Sequence, residues 1–389
     1  MAQTFRRSRF TWVAYLLLAV YGFFLNNLGP ITPFLKDELG LTYTVSSLHF
    51  TAFAAGILLA GLGSAAVVGR IGRMDALWGG AAGLTLGAVL LMAGRSPVVT
   101  IGAAFVAGVL GSLILAVVPG ALSDQHGEAR AVAMSEANVV ASLFSAAAPL
   151  LVGWFARNLG EWRWVLVVAA VLPPLTWLAL GRSGAGGSGA AAPRAPDGAR
   201  GRLPARYWIY WVALVLAIAI EFCMVTWSAD YAERVLGLPR ASAAQSVSVF
   251  LGAMIVGRWA SSRLVRRFSA AAVVTASIGL AAAGFLLFWL AWSAASGLAG
   301  LFLTGLGVAG LYPLLISLAI ASAGEMTVQA SGRATLASGV AILTLPLALG
   351  RLADLAGIRP AYAVVLFLLA GLFAVTQVAG RRARVAFPA

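Results

Sequence analysis

The run AIAIEFCMV, residues 217–225, sets one carboxylate, Glu221, in an otherwise unbroken apolar stretch. On a helix deep in hydrocarbon, an ionised side chain costs at least about 2.5–3.5 kcal/mol. A carboxyl group avoids much of that cost by taking up a proton. A glutamate in such a place can therefore load and release H⁺ as its surroundings dry and wet. The competing reading is a neutral or arginine-paired glutamate that only ties helices together. Arg258, in the following apolar run, is the one basic residue set well inside such a run. It either meets Glu221, directly or through water, or extends its stem to reach the membrane interface. Asn26 and Asn27, in GFFLNNLGP, offer amides that can hydrogen-bond a solute or a neighbouring helix. His49 offers a second group able to carry protons, or a packed ring.

The elements that must hold these residues follow from composition. Of 389 residues, 61% are hydrophobic and 10% charged, with a mean hydropathy of +0.93. Water-soluble domains average about 25% charged residues, so a soluble globular class is excluded. Apolar runs long enough to cross a bilayer as helices recur at 11–31, 45–68, 75–94, 98–121, 132–157, 163–181, 207–229, 242–265, 270–292, 298–321, 332–355 and 360–380. The expected fold class is all-α integral membrane, with twelve transmembrane helices. The basic N-terminus, MAQTFRRSRF, leads into an apolar run without a small-residue cleavage pattern, so it reads as a retained first span.

The net charge of +14 points to loops at a membrane surface rather than to nucleic acid. Segments that face one side carry more than twice as many basic residues as those facing the other, which places both termini in the cytoplasm. A plasma membrane, the inner membrane of a prokaryote, is the expected location. Between the sixth and seventh spans, GRSGAGGSGAAAPRAPDGARGRLPAR reads as a flexible cytoplasmic linker. The expected organisation is thus a six-helix bundle at 1–181, a linker at 182–206 and a second six-helix bundle at 207–389.

The second half repeats landmarks of the first at a constant offset of 197 residues: Gly40-Leu41 and Gly237-Leu238, Gly108 and Gly305, Pro149 and Pro346, Gly160 and Gly357. The basic turn at Gly69-Arg70 falls on Arg266-Arg267. Two six-helix halves in parallel are a known transporter plan, with the solute site between them near the midplane. In these features the chain resembles the major facilitator superfamily. That family's turn after the second span, G-x-x-x-D-R-x-G-R-R, appears here as AAVVGRIGRM, residues 65–74. Arg70, Gly72 and Arg73 match, whereas Gly69 stands where the family has an acid. The resemblance implies that the cytoplasmic charge latch to which that acid contributes is absent or rebuilt. It also implies that spans one, four, seven and ten line a cavity, which makes Asn26, Asn27, Glu221 and Tyr312 candidate binding residues; Trp227 joins them as an aromatic lining residue.

Glu136 opens the fifth span and falls on Arg333 under the same offset, an opposite-sign pair that suggests a gate contact; solvated helix ends are the other reading. Arg70, Arg73, Glu136, Arg258 and Arg333 therefore form the expected gating and charge network. Asp230 and Asp354 read as interfacial acids at outer helix ends. Pro119, Pro149, Pro313 and Pro346 fall inside spans and should kink them. There is no phosphate loop, no metal-ligand motif, and a single cysteine, Cys223, inside a span. No metal, cofactor or catalytic constellation is expected, and an enzyme is not. The expected function is secondary active transport of a small organic solute by alternating access, coupled to protons at Glu221. The absence of a basic cluster leans this toward export of a fairly apolar or cationic compound. Proton-driven uptake of a small metabolite such as a sugar is the alternative within the class, and a non-transporting membrane scaffold or receptor the alternative outside it. The expected partners are the solute, protons and the lipid bilayer, with the chain acting as a monomer.

Overall fold

The structure, a computed structural model, describes residues 6–181, 202–324 and 326–386. Most of the expected linker, through residue 201, lies outside the described residues. Among the described residues there is helix and turn but no strand. By contact they divide into two compact units, one of residues 6–41 and 48–181, the other of 42–47 and 202–386.

The first unit contains α1 (Arg9–Leu39), most of α2 (Tyr43–Ile71), α3 (Arg73–Ala93), α4 (Pro97–His126), α5 (Arg130–Asn158) and α6 (Trp164–Thr176). A 3₁₀ turn at Gly127–Ala129 joins α4 to α5, and a π-helical turn at Trp177–Gly181 ends α6. The second unit contains α7 (Ala205–Arg234), α8 (Arg240–Leu264), α9 (Ala270–Trp289), α10 (Ala294–Val308), α11 (Leu311–Ala321), α12 (Thr327–Ala356), α13 (Ile358–Tyr362) and α14 (Val364–Ala386). Eleven stretches of the described residues are long and apolar enough to cross a membrane. One of them, Pro97–Asn158, is 62 residues long and holds both α4 and α5, which accommodates the twelve crossings expected from the sequence.

Local chemistry sets the helix ends. Ser8 and Thr11 form a reciprocal capping box at the start of α1, satisfying amides that the first turn leaves unpaired. Gly40 then closes α1 at φ 63°, and Gly237 occupies the equivalent turn after α7 at φ 69°. Only glycine enters this left-handed region without steric cost.

The repeat legible in the sequence recurs as packing. Within the first unit α3 packs on α4 and α6, and α1 on α5; within the second α9 packs on α10 and α14, and α7 on α12. The seams are built by small residues at matching positions. A Cβ on Gly108 would strike the carbonyl oxygen of Phe53, and one on Gly305 would strike that of Phe250. Gly56 sits against the Phe105 carbonyl at 2.8 Å, again from an ideal Cβ position. Gly87 likewise lies against Ala103 and Ala107, while Gly284 lies against Leu303 and Thr304. Helices in hydrocarbon gain little from burying one apolar face against another, so close backbone approach through small residues supplies the attraction.

Two expected spans stand but differ in their helices. The first was expected to end near Pro30, but α1 runs through Pro30 and Pro33 to Leu39. These rings leave the carbonyls of Asn26 and Gly29 without their helical donors. The span at 298–321 is not one helix: it breaks at Ala309-Gly310 into α10 and α11. Pro313 cannot donate to the carbonyl of Ala309 and its ring crowds that group, so the helix restarts with Pro313 in its first turn. Pro119, Pro149 and Pro346 do lie inside continuous helices.

Gly108→Ala and Gly305→Ala should each lower the melting temperature in detergent, at about 1–3 kcal/mol of overpacking cost per site. Gly61→Ala, where an added methyl meets nothing within 4 Å, should not lower it, since alanine favours the helix over glycine. Equal melting of all three variants would refute the seam.

Candidate functional site

In the second unit four helices bring polar groups together. Glu221 is carried by α7, Arg258 by α8, Tyr312 by the first turn of α11 and Ser338 by α12. The nearest Glu221–Arg258 approach is 3.9 Å, Nη2 to Oε1, with the side chains 21% and 47% exposed respectively. That separation is about 1 Å beyond a charge-assisted hydrogen bond. The pair is therefore in electrostatic contact without being locked. Tyr312 lies beside Ser338 and within electrostatic range of Glu221. Ser338 was not singled out in the sequence, where it is one serine among many small residues.

The break in the α10–α11 stretch shapes this region. On α8, Gly257 packs against Leu306 and Ala309, and Ser261 packs against Gly310. Arg258 is thus bracketed by two contacts that press α8 onto the break, while Tyr312 follows immediately after it.

The expected asparagines are in the first unit. The Asn26 amide donates to Gly22 O at 2.9 Å and the Asn27 amide to Phe23 O at 3.0 Å, each within α1. Asn26 is half-buried, whereas Asn27 is buried and its Oδ1 accepts no hydrogen bond among the described residues. Trp227 departs from the binding role expected of it. It is fully buried, its indole N–H donates to Pro346 O at 3.1 Å, and its ring lies 5.5 Å from that of Tyr43. The ring is enclosed and its one donor is used, so it builds the wall of the unit.

Most residues of the expected charge network have partners within their own unit. Arg7 grips both oxygens of Glu136, at 2.6 and 2.7 Å, and Tyr15 donates to it at 3.2 Å. Arg7 precedes the first span, and the Glu136 carboxylate raises its pKa above the ordinary guanidinium value, chiefly through the hydrogen bond. Arg333 lies over the Trp208 ring at 5.4 Å, and its carbonyl accepts from Trp211. Arg73 is paired with Asp124 at 2.5 Å, across α3 and α4. Arg70, its neighbour in the basic turn, is exposed. At the other end of the first unit, Arg163 is held by Glu38 at 2.6 and 2.8 Å and lies over Trp162 at 4.5 Å.

His49 is packed, with Nε2 2.9 Å from Thr100 Oγ1. The Thr100 hydroxyl lies near two carbonyls of its own helix. The two acids read as interfacial are more specialised than that. Asp230 is fully buried, with Arg234 at 3.4 Å. Asp354 accepts from the first turn of α2, at Tyr43 N (2.7 Å) and Thr44 N (2.8 Å).

Comparison with known proteins agrees with this architecture. The family model of the Major Facilitator Superfamily matches residues 14–346. An uncharacterized transporter of Sinorhizobium fredii, y4wD, is 32% identical over 154 residues, a match spanning 40% of each protein. Among solved structures, a bacterial homolog of the human lysosomal transporter Spinster, inward-facing and occupied, aligns at TM-score 0.76 with 14% identity, over 97% of this chain and 98% of that one. A transporter of the POT family, in complex with a thioalcohol-conjugated peptide, aligns at 0.77 with 14% identity over 95% of both chains. A D-xylose–proton symporter aligns at 0.74 with 13% identity, over 95% and 96%. At such identities the structures establish the fold alone. The family match over most of the chain, on a scaffold of membrane-length helices, establishes more: this integral membrane protein belongs to the Major Facilitator Superfamily, a family of secondary transporters of small molecules rather than of enzymes.

Proposed function

We propose that the chain couples movement of a small organic solute to protons, with Glu221 as the group that loads and releases H⁺. The observation that carries this reading is the Glu221–Arg258 approach of 3.9 Å, with both side chains partly exposed. A purely structural ion pair in a low-dielectric setting is expected to close to hydrogen-bonding distance, where the mutual attraction best offsets desolvation. A pair held just short of closure responds to the protonation of its carboxylate. Tyr312 and Ser338 supply hydroxyls beside it, and Asn26 supplies an amide on α1.

One glutamate beside one arginine leaves the site near neutrality. That favours a fairly apolar or singly cationic compound, and export is the preferred direction. Uptake of a small metabolite such as a sugar is the second reading, favoured by the hydroxyl groups of Tyr312 and Ser338. The chain works as a monomer in a plasma membrane with both termini in the cytoplasm. Its moving parts are the two sequence halves, 1–181 and 207–389, joined by 182–206.

The test is solute accumulation in proteoliposomes under an imposed pH gradient, screened with a mixed panel of solutes. Glu221→Gln should abolish gradient-driven accumulation while exchange of the same solute across the membrane survives. Equal accumulation by both proteins would make Glu221 structural. Trp227→Phe gives a second expectation. It should keep exchange but melt earlier, by about 0.5–1.5 kcal/mol for the lost hydrogen bond to Pro346 O. A selective loss of solute affinity without lower stability would return Trp227 to the binding surface.

A further inference from the structure

The turn between α8 and α9 carries positive charge that nothing around it answers. Arg263, Arg266 and Arg267 fall within five residues, at the end of α8 and in the turn after it, and all are exposed. Among the described residues none of the three meets a carboxylate; the Arg263 guanidinium instead lies over the Trp259 ring at 5.0 Å. Consecutive spans of the unit alternate in direction, so the first turns of α7 and α12 and the last turns of α11 and α14 lie at this same end. Among the described residues none of those turns carries an acid. The first unit, by contrast, neutralises its basic turn: α4 brings Asp124 to Arg73, and Asp75 lies in the first turn of α3. At the 197-residue offset those two acids fall on Ala321 and Ala272. Glu325 lies outside the described residues; its counterpart at the offset, Glu128, is exposed and pairs with neither arginine of its own unit's turn.

The helix face that leads to this turn is apolar. Val256, Trp259 and Arg263 follow at spacings of three and four and so share one face of α8. Val256 is 49% and Trp259 61% exposed, and Phe268, just after the arginines, is exposed as well. An exposed face that passes from aliphatic to indole to guanidinium matches a lipid taken from acyl chain to headgroup. We propose that Arg263, Arg266 and Arg267 hold the phosphate of an anionic phospholipid whose acyl chain lies along Val256 and Trp259. Guanidinium groups suit this task because their planar forks match phosphate oxygens. The headgroup class follows from the charge. A zwitterionic lipid brings an ammonium group that needs an acid beside it, and among the described residues this end of the unit offers none. The segment 182–201 cannot supply the missing charge, since it holds one acid, Asp197, against three arginines. The site is independent of Glu221 and of the solute.

Native mass spectrometry of the full chain in detergent tests this, with phosphatidylglycerol and phosphatidylcholine of matched acyl chains as probes. The wild type should retain phosphatidylglycerol at least about tenfold more tightly, since each basic residue beside an anionic headgroup contributes about fivefold. Combining Arg263→Gln, Arg266→Gln and Arg267→Gln should erase that preference. Arg70→Gln, which removes an exposed arginine from the equivalent turn of the first unit, should leave it intact. A preference that survives the triple change, or that falls as far with Arg70→Gln, overturns the proposal. So does displacement of phosphatidylglycerol by millimolar inorganic phosphate, which would show that a free anion and not a lipid is bound. If the triple variant melts earlier than the wild type, Arg267→Gln alone decides. About fivefold weaker phosphatidylglycerol binding then supports the site, and unchanged binding refutes it.

Discussion

A helix surrounded by hydrocarbon has its backbone satisfied internally and its apolar side chains already content, so something other than the removal of water must hold one helix to the next. In this protein it is the absence of side chains at chosen places. Glycines and alanines let backbones approach until one helix's carbonyls touch the next helix's Cα positions. The rest of the architecture inherits from those seams. They set which helices are neighbours, they press α8 onto the break between α10 and α11, and they thereby decide which few polar side chains meet.

Polar groups are then placed sparingly, and most are neutralised where they stand. Arg163 has Glu38, Arg73 has Asp124 and Glu136 has Arg7, each across a helix pair that the seams have already brought together. Glu221 and Arg258 stand out because they are close without being joined. The asparagines of α1 resolve part of their own hydrogen-bonding demand within the helix. Rigid closure of ion pairs at the periphery thus coexists with an unclosed pair in the apolar middle of the second unit.

Much of this was legible in the sequence. Uninterrupted apolar runs gave the spans, because length alone decides whether a helix crosses hydrocarbon. The 197-residue offset located glycines that prove to be the seams, Gly108 and Gly305 among them, since only a missing side chain permits that approach. The partners of charged groups were harder to read. The partner that Glu136 has within its own unit, Arg7, was not foreseen, because only the packing of α1 beside α5 brings the two together. Asp354 finds its donors more than 300 residues away, at Tyr43 and Thr44, and no local pattern encodes such a meeting. Asp230 looked interfacial because it ends an apolar run; its burial comes from helices far away in the chain. Ser338 carries no signal of its own beyond being small.

The doubled scaffold has a consequence for where charge can be placed. At the offset that aligns the seams, Glu221 falls on Phe24 and Arg258 falls on Gly61. Phe24 is a buried packing residue, and Gly61 faces open space. The room that accommodates a long cationic side chain in one copy is simply vacant in the other. Because the packing code exists twice, one copy can carry charges at positions where its twin carries only packing or open space. The chemistry of the chain is asymmetric because its mechanics are not.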